Sequence, residues 1–186
     1  MDRRDFLKTG MLGSGLVVVP AILTSCDIVD SKSSDSDVNK NSDIALLRTA
    51  AEMENVAIAT YNAAAGLLSA GTLSVAVAFR DHHTVHFDEL NKALAALGAS
   101  KVVYDVNKAP DSRTGSVTNE VSALQLAATL EMEASQSYFA ASTGTVGTNI
   151  AKKILIEIMP VELLHYSALK SALSDPLNIK ALYSNL

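Results

Sequence analysis

The sequences ENVAIATY at residues 54–61 and EMEASQSY at residues 131–138 both begin with a glutamate and end with a tyrosine. In each, the tyrosine follows the glutamate by seven positions, so on a helix of about 3.6 residues per turn both side chains return to nearly the same face. Two further segments, HTVH at residues 83–86 and ELLH at residues 162–165, occupy matching positions in the two halves of the chain. The chain therefore contains an internal repeat of two helical hairpins.

This repeat predicts a metal site. Each hairpin would present one glutamate on its first helix and a pair of candidate ligands, at positions i and i+3, on its second helix. Residues at i and i+3 share a helix face, so the two members of a pair point the same way. Four-helix bundles hold two metal ions in their interior with such a ligand pattern. We therefore expect an all-α bundle around a dinuclear centre.

Apolar residues at helical spacing predict the four helices. They run over residues 44–68, 72–97, 121–141 and 149–173. Short turns join the first helix to the second and the third to the fourth, so each of these pairs is expected to be antiparallel. Gly98 is the expected C-terminal cap of the second helix. A short fifth element is predicted over residues 177–183.

The connection over residues 98–118 is unusually long for a compact bundle. A helix of about 24 residues is roughly 36 Å long, whereas an extended link of about 20 residues reaches some 65 to 70 Å. The link can therefore run from one end of the bundle to the other, which makes the second and third helices parallel. Short, long and short connections give the one-crossover topology of ferritin-like bundles.

Residues 44–173 thus resemble the ferritin-like superfamily, and are nearer to its small bacterial single-domain members than to the ferritins that form cages. The resemblance implies a glutamate on the first and third helices and Glu-x-x-His on the second and fourth. In this sequence the implied metal ligands are Glu54, His83, His86, Glu131, Glu162 and His165. The implied cofactor is dinuclear iron or manganese, with iron preferred.

His83 departs from the family pattern, which usually has a carboxylate at this position. Two divalent metals bring four positive charges into an apolar interior, where unpaired charge is costly, and three carboxylates leave one charge uncompensated. Asp81 and Glu89 are the nearest carboxylates, but neither matches the repeat. His82 is expected to face outward or to support a ligand.

Each candidate also has a purely structural interpretation. Buried histidines can be satisfied core residues. Tyr61 and Tyr138 can be packing aromatics or can hydrogen-bond a ligand carboxylate; we expect packing, with the polar tip near the site. Glu52 and Glu133 lie about 200 degrees around their helices from the predicted ligands, so we expect both to be solvated. The repeat is what favours ligation for the matched residues.

The N-terminus predicts export. RRDFLK at residues 3–8 precedes an apolar run that is shorter than the roughly 20 residues of a membrane-spanning helix, and it resembles a twin-arginine signal. LTSC at residues 23–26 resembles a lipoprotein box, which implies cleavage before Cys26 and acylation of this cysteine. The expected organisation is a signal peptide over residues 1–25, a lipidated Cys26 with a flexible tether over residues 26–43, and the bundle over residues 44–186.

These features bound the function. The net charge of −5 makes nucleic acid an unsuitable partner, and the lipid anchor would place the chain in the cell envelope or the periplasm. The first hypothesis is a metal centre that does redox work on oxygen or peroxide; the alternative is a non-catalytic scaffold, associated with stress or the envelope, with a degenerate site. Storage of iron in a cage conflicts with a lipid anchor on every subunit. Enzymatic activity and oligomeric state are left open, with a dimer as one alternative.

Overall fold

The four predicted helices form in the computed structural model, which describes residues 35–144 and 146–174. Helix α1 is Asp35–Ala64, α2 is Ala70–Ala96, α3 is Glu120–Gly144 and α4 is Asn149–Ser174. Two short 3-10 helices, Ala65–Leu67 and Ser112–Ser116, lie in the connections, and no strand occurs in the described part of the chain. The predicted signal, Cys26 and the element at residues 177–183 lie outside the described residues.

The order of packed residues along each helix gives the topology. Two apolar clusters form the core, and Leu47 and Leu155 lie in the first while Phe79 and Leu169 lie in the second. Helices α1 and α4 run from the first cluster to the second, whereas α2 and α3 run from the second to the first. Helices α2 and α3 are therefore parallel and joined by the long crossover, which confirms the predicted all-α ferritin-like architecture.

The start of α1 was predicted nine residues too late. The segment over residues 35–43 is polar, which led us to assign it to the tether, but it is helical. Its residues 39–42 are exposed, whereas Asp43 is only 1% exposed. The Asp43 carboxylate accepts hydrogen bonds from the backbone N–H groups of Gly147 at 3.0 Å and Thr148 at 2.7 Å. This contact with the α3–α4 turn stabilises a helical segment whose composition alone would not.

Replacement of Asp43 by alanine is expected to lower the free energy of unfolding by about 2 kcal/mol or more, because it leaves two backbone donors without their acceptor. Asp43→Asn should cost less, since one acceptor oxygen remains. Chemical denaturation measures both, with Asp81→Ala as the control because Asp81 is exposed and its hydrogen bonds are to Arg80. If Asp43→Ala and Asp81→Ala unfold at the same denaturant concentration, Asp43 does not stabilise the fold through its contact with the α3–α4 turn.

Gly98 ends α2 as predicted. Its φ angle is 75°, a conformation that glycine adopts without a steric penalty. The N–H of Ala99 donates to the Leu94 carbonyl at 2.9 Å, which closes the helix end. Among the described residues, no helix is both long and apolar enough to cross a membrane.

Ion pairs hold the crossover against the bundle. Lys108 donates to Glu52, and the Arg113 guanidinium donates to Glu133 at 3.0 and 2.9 Å. Both glutamates are solvated as expected, with 47% and 40% of their side chains exposed. The ion pairs were not expected, because the partners come from the crossover, whose path cannot be predicted from helical periodicity. The crossover thus covers the side of α1 and α3 that faces away from the core.

Candidate metal centre

The six predicted ligands form a buried polar layer between the two apolar clusters. Each of them is at most 6% exposed, and Glu162 is fully buried. The members of the layer are Glu54, His83, His86, Glu131, Glu162 and His165. Their convergence in the interior confirms what the internal repeat predicted about their positions, whereas ligation itself stays a prediction.

The layer divides into two overlapping groups of possible ligand atoms. One group comprises Glu54, His83, His86 and Glu162; the other comprises His83, Glu131, Glu162 and His165. Within each group the ligand atoms lie within 4.8 Å of one another. His83 and Glu162 belong to both groups, and they are the two residues that the repeat aligns with each other. The remaining glutamate and histidine of each group come from one hairpin.

Glu162 divides its carboxylate between the two groups. Its Oε1 lies 2.9 Å from Nδ1 of His86, and its Oε2 lies 3.2 Å from Nδ1 of His165. Although these distances are short, their angles do not suit hydrogen bonding, and neither carboxylate oxygen nor Nδ1 of His86 has a hydrogen-bond partner among the described residues. Such buried atoms cost about 1–3 kcal/mol each when unsatisfied. A cation between them would satisfy them, so the donor set fits a metal.

The two tyrosines connect the hairpins crosswise. Tyr61 donates its hydroxyl hydrogen to Oε1 of Glu131, and Tyr138 donates to Oε1 of Glu54. Each tyrosine therefore orients the glutamate of the other half of the repeat, which gives the site an approximate two-fold symmetry. Burial, together with the negative charge of Glu54, raises the pKa of Tyr138 well above its ordinary value, so this hydroxyl remains a donor at neutral pH.

Three carboxylates face three imidazoles in this layer. Burial disfavours charge on His86, yet its contacts with Glu162 and Glu54 outweigh burial and raise its pKa to about 9. The pKa of His83 and that of His165 are also raised by neighbouring carboxylates, against the effect of burial. Burial likewise opposes charge on Glu54, but its hydrogen bond with His83 and its contact with the nearby His86 ring outweigh burial and lower its pKa to about 2.

The metal-free protein is consequently expected to be most stable in mildly acidic solution. The stabilisation from His86 is complete below its ordinary pKa of 6.5 and is lost as the pH rises through about 9. The stabilisation from Glu54 is complete above its ordinary pKa of 4.5 and is lost as the pH falls through about 2. The free energy of unfolding of chelator-treated protein, measured across this pH range, tests the expectation. In Glu54→Gln the loss of stability at low pH should be smaller. A free energy of unfolding that does not change with pH would contradict the ion-pair network.

His82 links the layer to the surface. It is exposed, and its Nδ1 lies 2.8 Å from Nε2 of His165, with the two rings stacked at a centroid distance of 5.1 Å. If His165 gives Nδ1 to a metal, its Nε2 carries the proton and donates to His82, which fixes the orientation of the ligand ring. His82 therefore faces outward as expected and also contacts His165, whereas its support of a metal ligand stays a prediction.

Phe79 is a site residue that the sequence did not indicate. Its fully buried ring stacks on His165 at a centroid distance of 4.1 Å. Phe79 lies four residues before His83 on the same face of α2, which is the only sequence signal that could have identified it. Asp81 and Glu89, by contrast, pair with Arg80 and Lys92, so neither supplies a fourth carboxylate.

Four helices with one long crossover and a buried glutamate–histidine layer define a ferritin-like bundle. Residues 42–175 match the model of the ferritin-like domain family, and the chain belongs to this family. No curated protein matches the chain.

Two solved structures share the fold. A conserved hypothetical protein from Mycobacterium tuberculosis has 16% sequence identity and a TM-score of 0.65, over 74% of this chain and 94% of that chain. A bacterioferritin-related protein from Bacteroides fragilis, described as a dodecameric thioferritin, has 20% identity and a TM-score of 0.58, over 77% of this chain and 91% of that chain. At these identities the likeness concerns the fold.

Proposed function

We propose that this chain is an exported, membrane-anchored ferritin-like protein that binds a dinuclear iron or manganese centre and does redox work on oxygen or peroxide. The observation that carries the proposal is the pair of overlapping ligand groups, each with four buried glutamate and histidine residues. Imidazole and carboxylate ligands suit iron and manganese. When bound, such a centre supplies the electrons for reduction of the oxidant.

The chain's own residues would hold and shield the centre. Glu54 with His86, and Glu131 with His165, would each bind one metal, and Glu162 would contact both. Tyr61 and Tyr138 fix the orientation of the two outer glutamates through their hydroxyl groups. The apolar clusters on either side of the layer exclude water from it, which strengthens the attraction between the carboxylates and the metals.

Elemental analysis of protein matured in its own host tests the metal proposal. Two equivalents of iron or manganese per chain are expected for the wild type and fewer for Glu131→Gln. A metal-free wild type would instead favour a non-catalytic scaffold. That second candidate has its own support, because three buried histidines offset three buried glutamates without any metal.

Export and anchoring rest on the sequence of residues 1–26. Cys26 follows an apolar run at a position that resembles a lipoprotein box, and lipidation of this cysteine would anchor the protein to a membrane. Cys26→Ala should move the protein to the soluble fraction or block its processing, as measured by membrane fractionation and mass spectrometry. A variant that remains lipidated and membrane-bound would refute the assignment of Cys26.

A further inference from the structure

His83 occupies the position that the repeat aligns with Glu162, and these are the two residues shared by both ligand groups. A residue can serve two metal sites by offering a different ligand atom to each. Glu162 can do so because its two oxygens lie next to His86 and His165 respectively. The histidine at the matching position has two ring nitrogens with which it could do the same.

The two nitrogens of His83 point to opposite sides of the layer. Its Nδ1 lies 2.7 Å from Oε2 of Glu54 and 3.8 Å from Oε1 of Glu162, which belong to the first group. Its Nε2 lies 3.2 Å from Oε1 of Glu131, which belongs to the second group. The ring is 3% exposed, so it is held in this position by the surrounding bundle. It therefore spans the two groups rather than serving one of them.

We propose that His83 binds both metals, one through each ring nitrogen, as a bridging imidazolate. This inference rests on the proposed dinuclear centre and specifies how its ligands are shared. As the two metal–nitrogen bonds form, both ring protons of His83 leave to solvent and the ring becomes an anion. No oxidant or further reactant is required.

The bridge resolves the charge deficit of the site. Glu54, Glu131 and Glu162 provide three negative charges against the four positive charges of two divalent metals. An imidazolate provides the fourth, so the buried centre becomes neutral, which a low-dielectric interior requires. The substitution of histidine for the usual carboxylate thus conserves the charge of the loaded site while it changes the geometry of the bridge.

The geometry gives a distinctive distance. Metal–nitrogen bonds of about 2.0–2.1 Å on both sides of one imidazole ring place the metals roughly 6 Å apart. Two-metal sites otherwise have their ions about 3.5–4 Å apart. A separation beyond about 5 Å, with one ion at bonding distance from each ring nitrogen of His83, therefore identifies a bridge through this ring, whatever the catalytic activity of the protein.

Anomalous diffraction from crystals of the full chain loaded with manganese(II) measures this separation directly. We expect two ions beyond about 5 Å apart in the wild type. His83→Glu should keep two ions but bring them to about 3.5–4 Å, as a carboxylate bridge allows. His83→Gln should lose one ion or bind it on the order of tenfold more weakly or worse, as measured by calorimetric titration.

The outcomes separate the bridge from the proposed function. Two wild-type ions at about 3.5–4 Å, or a single ion, would overturn the bridge and leave metal binding intact. A wild-type protein that takes up no manganese(II) or iron(II) would overturn the proposed function and the bridge with it. The wild-type distance decides the question even if a variant fails to fold, and circular dichroism establishes folding for each variant.

Discussion

Glu162→Gln is expected to abolish binding of the second metal and to weaken binding of the first by a factor on the order of one hundred or more. The amide keeps the volume of the side chain but removes its charge and one of its two acceptor oxygens. Both ligand groups share Glu162, so this substitution damages both sites, whereas a change at Glu54 or Glu131 damages one.

Isothermal titration calorimetry with iron(II) and with manganese(II) measures the affinity and the stoichiometry of metal binding. Glu157→Gln is the matched control, since Glu157 lies on the same helix with an exposed side chain and only a 3.9 Å ion pair with Lys153. The control should bind metal as the wild type does. Equal titrations for Glu162→Gln and Glu157→Gln would exclude Glu162 as a ligand.

The internal repeat is the reason that the fold and the site could largely be predicted from the sequence. Helical periodicity alone gave the approximate bounds of the helices, but it could not distinguish Glu54 from Glu52, which lie on one helix. The recurrence of Glu54 as Glu131 and of His86 as His165 made that distinction. Because the repeat also fixed which helices pair, the length of the crossover was sufficient to predict the topology.

The features that could not be predicted all depend on contacts between distant parts of the chain. The polar segment before Asp43 is helical because Asp43 binds the α3–α4 turn. The tyrosines cross over to the opposite hairpin, which their spacing from the nearer glutamate could not reveal. The ring of His83 faces both ligand groups, and this only becomes apparent once all four helices are placed.

Charge connects these observations into one account of the layer. Without metal, the neighbouring carboxylates raise the pKa of each of the three histidines and so favour its protonated form, which offsets negative charge in the layer and allows the bundle to fold around it. With metal, the ions take the place of those protons. Folding and metal binding therefore use the same carboxylates, and the apolar packing on either side has to hold them in place in both states.

Phe79→Ala is expected to show how strongly that packing matters, with a loss of about 3–5 kcal/mol in the free energy of unfolding from the cavity it leaves. Phe79 is fully buried, and its ring stacks on His165 at 4.1 Å and meets Tyr61 edge-on at 6.4 Å. Without it, His165 can leave the orientation that points Nδ1 into the layer, so metal affinity should also fall.

Phe139→Ala is the control for this substitution, because Phe139 is 57% exposed and its removal leaves no cavity. Phe79→Leu keeps most of the volume but loses the stacked ring, so it should recover much of the stability while metal affinity stays reduced. That split would separate the effect of packing from the effect of orientation. If Phe79→Ala unfolds with the same free energy as Phe139→Ala and binds metal like the wild type, the apolar cluster does not position His165, and the hydrogen bonds of the layer alone must hold it.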